Sequence, residues 1–351
     1  MPDGYYADMR RRLLVLALML CLAGCTSSAA PTSTTLGYTQ ATYIGRWADL
    51  TAPSACKAVL SGGNRVRLTF TGTSLALALW VPPRTYATEI EHRVDGGKWQ
   101  RSTISDGMVL ASGLASRTHT CEVWLAGTYF ADNRWTNRYG LAIEGFTVDA
   151  GSTTAPWPTG NVGTMLTIGD SIAEGEFILG GSANLPRYGS GRTAFPSLLA
   201  AALGYDNYNF AFGGAGVTET RDGTAVPGLE AAFPYAMSGV KATDPDYDVV
   251  LIESVNNDGS DSSATFRRAY ARLVNQAQAA WPSATVYCMG DLTPPSMARD
   301  ADVQYVCAQT GATYVDTSAW KFTAPNLGHP DQAGHTAIAR YLEAIVPPAR
   351  R

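Results

Sequence analysis

Four polar clusters in the second half of the chain carry the residue types that ester hydrolysis needs. The first is Gly169-Asp170-Ser171, at the end of the apolar run Met165–Ile168. In the second, Asn209-Phe210-Ala211-Phe212-Gly213-Gly214, an apolar run ends in glycines. The third, Glu253-Ser254-Val255-Asn256-Asn257-Asp258, follows the apolar stretch Val249–Ile252. The fourth, His329-Pro330-Asp331-Gln332, opens the last helical pattern. A serine hydroxyl becomes a useful nucleophile once a base takes its proton, and neutral imidazole is suited to that near pH 7. The tetrahedral oxyanion then needs fixed donors, which a glycine N–H and an asparagine amide provide. Gly-Asp-Ser alone would be an ordinary turn with a solvated serine. What gives the serine meaning is the set of clusters that follows it in order.

The elements that must position these residues alternate. Met165–Ile168, Tyr208–Phe212, Val249–Ile252, Thr285–Met289 and Thr313–Val315 read as strands. Ala194–Leu203, Ala264–Trp281 and Ala333–Val346 read as helices. Continuous apolar strands alternating with helices predict a parallel sheet covered on both faces. In such a sheet ligands bind beyond the carboxyl ends of the strands, where all four clusters fall. The preceding part reads differently. Arg65–Phe70 alternates with period two, Ser74–Val81 is a denser apolar run, and Ile90–Val94 with Lys98–Arg101 brackets the hairpin signal Asp95-Gly96-Gly97. With Thr118–Trp124 and Leu141–Val148 this predicts an all-β sandwich over 37–150. A Gly/Ser/Thr/Pro-rich linker at 151–162 separates it from an α/β domain at 163–351.

The first 36 residues are read as export and tether. Arg10-Arg11-Arg12 is a basic segment, and Leu13–Leu22 is an apolar stretch too short to span a bilayer. Leu22-Ala23-Gly24-Cys25 follows, and the whole resembles the bacterial lipoprotein signal. The resemblance implies removal of residues 1–24, lipidation of Cys25 and membrane anchoring in the cell envelope; a plain secretory signal is the alternative. Residues 25–36 are then a Ser/Thr/Ala/Pro-rich tether. In an oxidising compartment Cys56–Cys121 and Cys288–Cys307 are candidate disulfides, the alternative being four buried thiols. The formal net charge is −4, and the absence of a basic cluster beyond the N-terminus argues against nucleic acid as a partner. No CxxC or Cys/His cluster suggests a metal, and no cofactor is expected.

The four clusters, in this order, resemble the SGNH (GDSL-type) hydrolases over residues 163 to 347. The resemblance implies a flavodoxin-like three-layer α/β domain that hydrolyses ester bonds. It makes Ser171 the nucleophile, Gly214 and Asn257 the oxyanion donors and His329 the base. Two positions depart from the pattern. Val255 stands where the family has glycine, which keeps Asn256 open as an alternative donor. Asn326 stands where an aspartate normally orients the histidine and stabilises its charged form. A Ser–His dyad is then expected, with Asn326 or a backbone carbonyl holding the ring. The β domain, with Gly45-Arg46-Trp47 near its start, makes the whole look like family-two carbohydrate esterases, whose β domain is jelly-roll-like. Several of them work with a dyad. That implies an exported esterase removing O-acetyl groups from a polysaccharide. The alternatives are a non-catalytic glycan-binding lipoprotein and an O-acyltransferase on the same scaffold. Of the other side chains, the Tyr129–Tyr139 loop is a candidate for sugar contact. His92, His119 and His335 are read as structural, and Glu253 as a satisfied core carboxylate.

Overall fold

The computed structural model describes residues 32–129, 131–157, 163–181, 183, 185–219, 225–259, 261–293 and 299–350. Cys25 and the segment read as an export signal lie outside these residues.

Two antiparallel sheets form the N-terminal part. One runs in the order Ala48–Leu50, Cys56–Val59, Leu141–Asp149, Leu75–Leu79, Met108–Ala111, with Ser33–Gly37 pairing Leu141–Asp149. The other runs Thr154–Pro156, Arg65–Gly72, Arg117–Gly127, Glu89–Val94, Gln100–Thr103, with Thr42–Ile44 on Arg65–Gly72. Inward positions pack Val66, Leu68, Phe70, Leu77, Val123, Ile143 and Phe146 into a common core. Two boundary readings change. Ser33–Gly37, placed in the tether by composition, pairs Gly145–Asp149. Thr154–Pro156, placed in the linker, pairs Leu68–Phe70. Both are edge additions, where backbone pairing tolerates Ser, Thr and Pro that a central strand would not.

The C-terminal part is one parallel sheet in the order Tyr205–Ala211, Gly163–Gly169, Val249–Glu253, Thr285–Met289, Thr313–Val315. Helices Phe195–Leu203 and Gln332–Glu343 cover one face, and Ser263–Ala280 with Asp300–Thr310 cover the other. This is the three-layer, flavodoxin-like order. The chain leaves strand Gly163–Gly169 toward one side and later returns on the other, which opens a crevice at its carboxyl end. The nucleophile candidate follows that strand directly.

The two parts share a core. Leu50, Cys56, Leu60 and Trp135 of the β part pack in one cluster with Ile168 and Phe210 of the parallel sheet and with Phe212 just beyond it. The Asn64 side chain clamps the Asn209 backbone: Asn209 N–H donates to Asn64 Oδ1 at 2.9 Å, and Asn64 Nδ2 donates to Asn209 O at 2.8 Å.

The cysteine pairing expected from export is not formed. Cys56, Cys121, Cys288 and Cys307 are all free and buried. Cys56 packs into the shared core while Cys121 packs inside the sandwich, so their side chains serve different clusters. Cys288 and Cys307 do meet, as hydrogen-bonded thiols in the α/β core.

Candidate active site

Ser171 begins the four-residue helix Ser171–Glu174. Asp170 caps it, taking the Ile172 N–H at 2.9 Å on Oδ1, as capping carboxylates do at a helix start. The serine is half-buried, and its hydroxyl lies 2.7 Å from His329 Nε2. The structure therefore brings the first and fourth clusters into hydrogen-bond contact across 158 residues.

His329 is held by packing and backbone rather than by an acid. Its N–H donates to Asn326 O at 2.9 Å, and its ring lies 4.8 Å from the Phe177 ring at a 44° tilt. Nδ1 is buried without a hydrogen-bond partner among the described residues. Backbone groups of Leu327 and Asn326 lie close to the ring. Burial pushes the imidazole pKa below its usual value, and those two backbone groups oppose the shift. The nearby carboxylate Asp331 is spent elsewhere, as the N-cap of Gln332–Glu343 through Gly334 N–H at 2.8 Å.

Asn326 takes a different role from the one expected of its side chain. Its Nδ2 donates to Phe177 O at 3.0 Å, not to the imidazole. Phe177 is left-handed, with φ 58, a conformation that costs a bulky residue energy and persists only under outside constraint. Asn326 supplies part of that constraint, so it acts on His329 through the Phe177 ring and through its own backbone carbonyl. Phe177 is the site residue that the sequence did not reveal; nothing in the motif spacing marks it.

Gly214 occupies the third position of the turn Phe212–Ala215, closed by Ala215 N–H to Phe212 O at 3.0 Å. Its φ of +74 is why a glycine stands there. Gly214 is half-buried, beside a fully buried Gly213. Asn257 lies next to it: Nδ2 is 3.0 Å from Ala215 O and 3.2 Å from Asp170 Oδ2. Asn256 Nδ2 reaches the same Asp170 oxygen at 3.4 Å, and its Oδ1 accepts from Thr293 at 3.0 Å. Asp258 fixes the segment after the glycines, accepting Val217 N–H and Thr218 N–H at 2.8 Å each. The four clusters thus converge on one end of the sheet.

Two buried carboxyls lie beneath the site. Glu253 is 1% exposed, and neither of its oxygens has a hydrogen-bond partner among the described residues. This corrects the reading of it as a satisfied carboxylate. Burial, and then the charge of Asp170, push its pKa well above the usual range, which favours its protonated form. Burial also lifts Asp170, to about 7, against the Ile172 N–H and Asn256 amide that favour its charged form. With its donors, Asp170 is the better place for the charge and Glu253 for the proton.

The other histidines are structural. His335 is buried, accepts the Phe195 N–H at 3.1 Å on Nδ1 and has its pKa driven down to about 3 by burial. His119 is set between Asp95 and Ala115 O, and His92 is buried in the sandwich. Trp281 packs against Phe233 and Tyr247, and Trp320 stacks on Tyr341. In the Tyr129–Tyr139 loop, Tyr129 meets Tyr86 edge-on at 4.7 Å, whereas Arg134 and Trp135 are buried.

Residues 167–337 match the GDSL-like Lipase/Acylhydrolase family. The C-terminal part of the chain is therefore a GDSL-like acylhydrolase domain, and the protein is a hydrolase acting on ester bonds. No curated protein matches the chain in sequence. Among solved structures it is similar to a family two carbohydrate esterase from Clostridium thermocellum, described in complex with cellohexaose. That match has 21% identity and a TM-score of 0.72, and covers 87% of this chain and 97% of that one. A family two carbohydrate esterase from Cellvibrio japonicus matches at 18% identity and a TM-score of 0.74, over 89% and 96% of the two chains. An acetyl xylan esterase from Butyrivibrio proteoclasticus matches at 14% identity and a TM-score of 0.72, over 90% and 98%. These likenesses extend through both parts of the fold.

Proposed function

We propose that this protein is an exported serine esterase that removes O-acetyl groups from a carbohydrate by a Ser171–His329 dyad. The observation that carries the mechanism is the 2.7 Å contact between His329 Nε2 and Ser171 Oγ. Support for the substrate class comes from the solved structures above, which share the joined β and α/β parts.

In this reading His329 is neutral, with its proton on Nδ1 and its lone pair on Nε2. It takes the Ser171 proton as Oγ attacks the acetyl carbonyl. The oxyanion is met by the Gly214 N–H and the Asn257 amide. Asn257 gives up its longer bond, to Asp170, which retains the Ile172 N–H. His329 then passes its proton to the departing sugar oxygen, leaving acetyl-Ser171. Water, deprotonated by the same imidazole, releases acetate and restores the hydroxyl. Hydrolysis of 4-nitrophenyl acetate by wild type and not by Ser171→Ala tests the reaction, and acetate release from a panel of acetylated glycans tests the substrate. Glycan binding without acetate release would favour a non-catalytic module.

The pH profile follows from the surroundings of His329. Its pKa is lowered by burial, and activity requires the neutral ring. The rising limb of kcat/KM against pH is therefore expected below the ordinary value of about 6.5. Asn326→Ala should leave the limb in place and lower kcat by up to about tenfold, the scale of one net hydrogen bond. Asn326→Asp places a carboxylate near the ring, favours its charged form and should move the limb upward. A wild-type limb above 6.5 would contradict the dyad.

Export and anchoring are the remaining part of the proposal. Arg10–Arg12, Leu13–Leu22 and Cys25 support a lipid anchor. In a bacterial host, Cys25→Ala should move the protein from the membrane fraction to the soluble fraction. Retention of the variant in the membrane fraction would remove Cys25 as the anchor.

A further inference from the structure

The β part does more than flank the site. Its short helix Arg134–Asn137 inserts two side chains behind the glycine turn that carries Gly214. Arg134 is fully buried and forks onto Glu174: Nη1 meets Oε1, and Nη2 meets Oε2 at 3.1 Å. Glu174 is the last residue of the helix that begins at Ser171. Its Oε2 also accepts the Gly213 N–H at 2.9 Å, and its Oε1 accepts Gly62 N–H at 3.2 Å and the Thr128 hydroxyl at 3.2 Å. A second buried carboxylate, Glu176, lies where a Cβ on Gly213 would collide with it. Arg134 is thus the cation that makes the buried Glu174 carboxylate tolerable beside this turn. Its guanidinium also lies 5.5 Å from the Phe212 ring, and Trp135 meets the same ring edge-on at 6.1 Å. Phe212 immediately precedes Gly213 and Gly214.

We propose that Arg134 and Trp135 of the β part are positioning residues for the Gly214 oxyanion donor. Arg134 acts through the Glu174 carboxylate, and Trp135 acts through Phe212. The inference rests on the esterase reading above. The Gly213 N–H is tied to the helix of the nucleophile, so the donor turn and Ser171 are held at one spacing by a single carboxylate. That carboxylate is itself fixed from the neighbouring domain. The domain pairing is then a catalytic requirement as well as a packing solution. An oxyanion donor has value only where the charge develops, and a misplacement of about 1 Å costs roughly a hundredfold.

Removing Arg134 alone leaves buried charge unpaired and endangers the fold, so the test compares two charge-free pairs. Arg134→Met/Glu174→Gln keeps an acceptor for the Gly213 N–H. Arg134→Met/Glu174→Met removes it while keeping apolar volume, a replacement that buried ion pairs often tolerate. On 4-nitrophenyl acetate the Gln pair, which keeps the acceptor but loses the fork, should lose several-fold in kcat. The Met pair should lose roughly tenfold to a hundredfold in kcat with KM nearly unchanged. Equal kcat in the two pairs, or a loss confined to KM, overturns the proposal. Arg134→Lys keeps the charge and gives up the fork, which reads the same coupling with less risk to folding. It should lower kcat several-fold at constant KM, and a wild-type kcat there also overturns the proposal. Ser171→Ala sets the baseline in the same assay. If wild type is no faster than Ser171→Ala, the esterase reading itself fails, and with it the reaction that this positioning serves.

Discussion

Replacing Ser171 with alanine should lower kcat on an acetyl ester by about five to six orders of magnitude, the scale on which nucleophile loss is felt in serine hydrolases. The fold should be unaffected. The Ser171 hydroxyl contacts His329, and that contact joins two half-buried groups at the surface of the crevice. His329→Ala should cost nearly as much, because the hydroxyl then has no base. The double variant should be no slower than either single one, since the two side chains perform one proton transfer. Single-turnover rates with thermal melts check all three. Additive losses would show that Ser171 and His329 act in separate steps, which the 2.7 Å contact does not support. Hydroxylamine trapping of an acetylated serine in wild type would locate the intermediate.

Asn257→Ala should lower kcat by about two to three orders of magnitude, or ~3–4 kcal/mol of transition-state stabilisation, with little change in KM. The amide sits beside the Gly214 turn, 3.0 Å from Ala215 O, and can release Asp170 to meet the oxyanion. Asn256 is anchored at both ends of its amide, through Thr293 and Asp170. Its alanine variant should lose less than about tenfold. Comparing kcat of the two variants settles which register the third cluster uses. A larger loss at Asn256 would transfer the donor role to it and leave Asn257 as a brace between Ala215 and Asp170.

Much of this site is legible in the sequence because its parts are local. Each cluster follows an apolar strand, and a parallel sheet delivers the ends of its strands to one edge whatever the details of packing. Strand order places the clusters of Ser171, Gly214 and Asn257 there, and the resemblance to the SGNH hydrolases picks out these residues and His329. The cysteines were misread for the opposite reason. Compartment and count suggested pairs, but Cys56 and Cys121 belong to different packing clusters, which no linear spacing reports. The strands Ser33–Gly37 and Thr154–Pro156 were missed because edge strands borrow their stability from a partner's backbone and need little apolar pattern of their own.

The sequence by itself determined the two kinds of domain, the order of the strands and the chemical types at their ends, because hydrophobic periodicity and turn residues act over a few neighbours. Only the tertiary structure decided where side chains with several possible partners turn. Asn326 turns to Phe177 O instead of the imidazole. Glu253 remains buried with no hydrogen-bond partner among the described residues, and burial raises its pKa. Arg134, from a segment read as an exposed loop, lies fully buried against Glu174. Each outcome is set by burial and by which opposite group lies within about 3 Å, quantities created when distant segments meet.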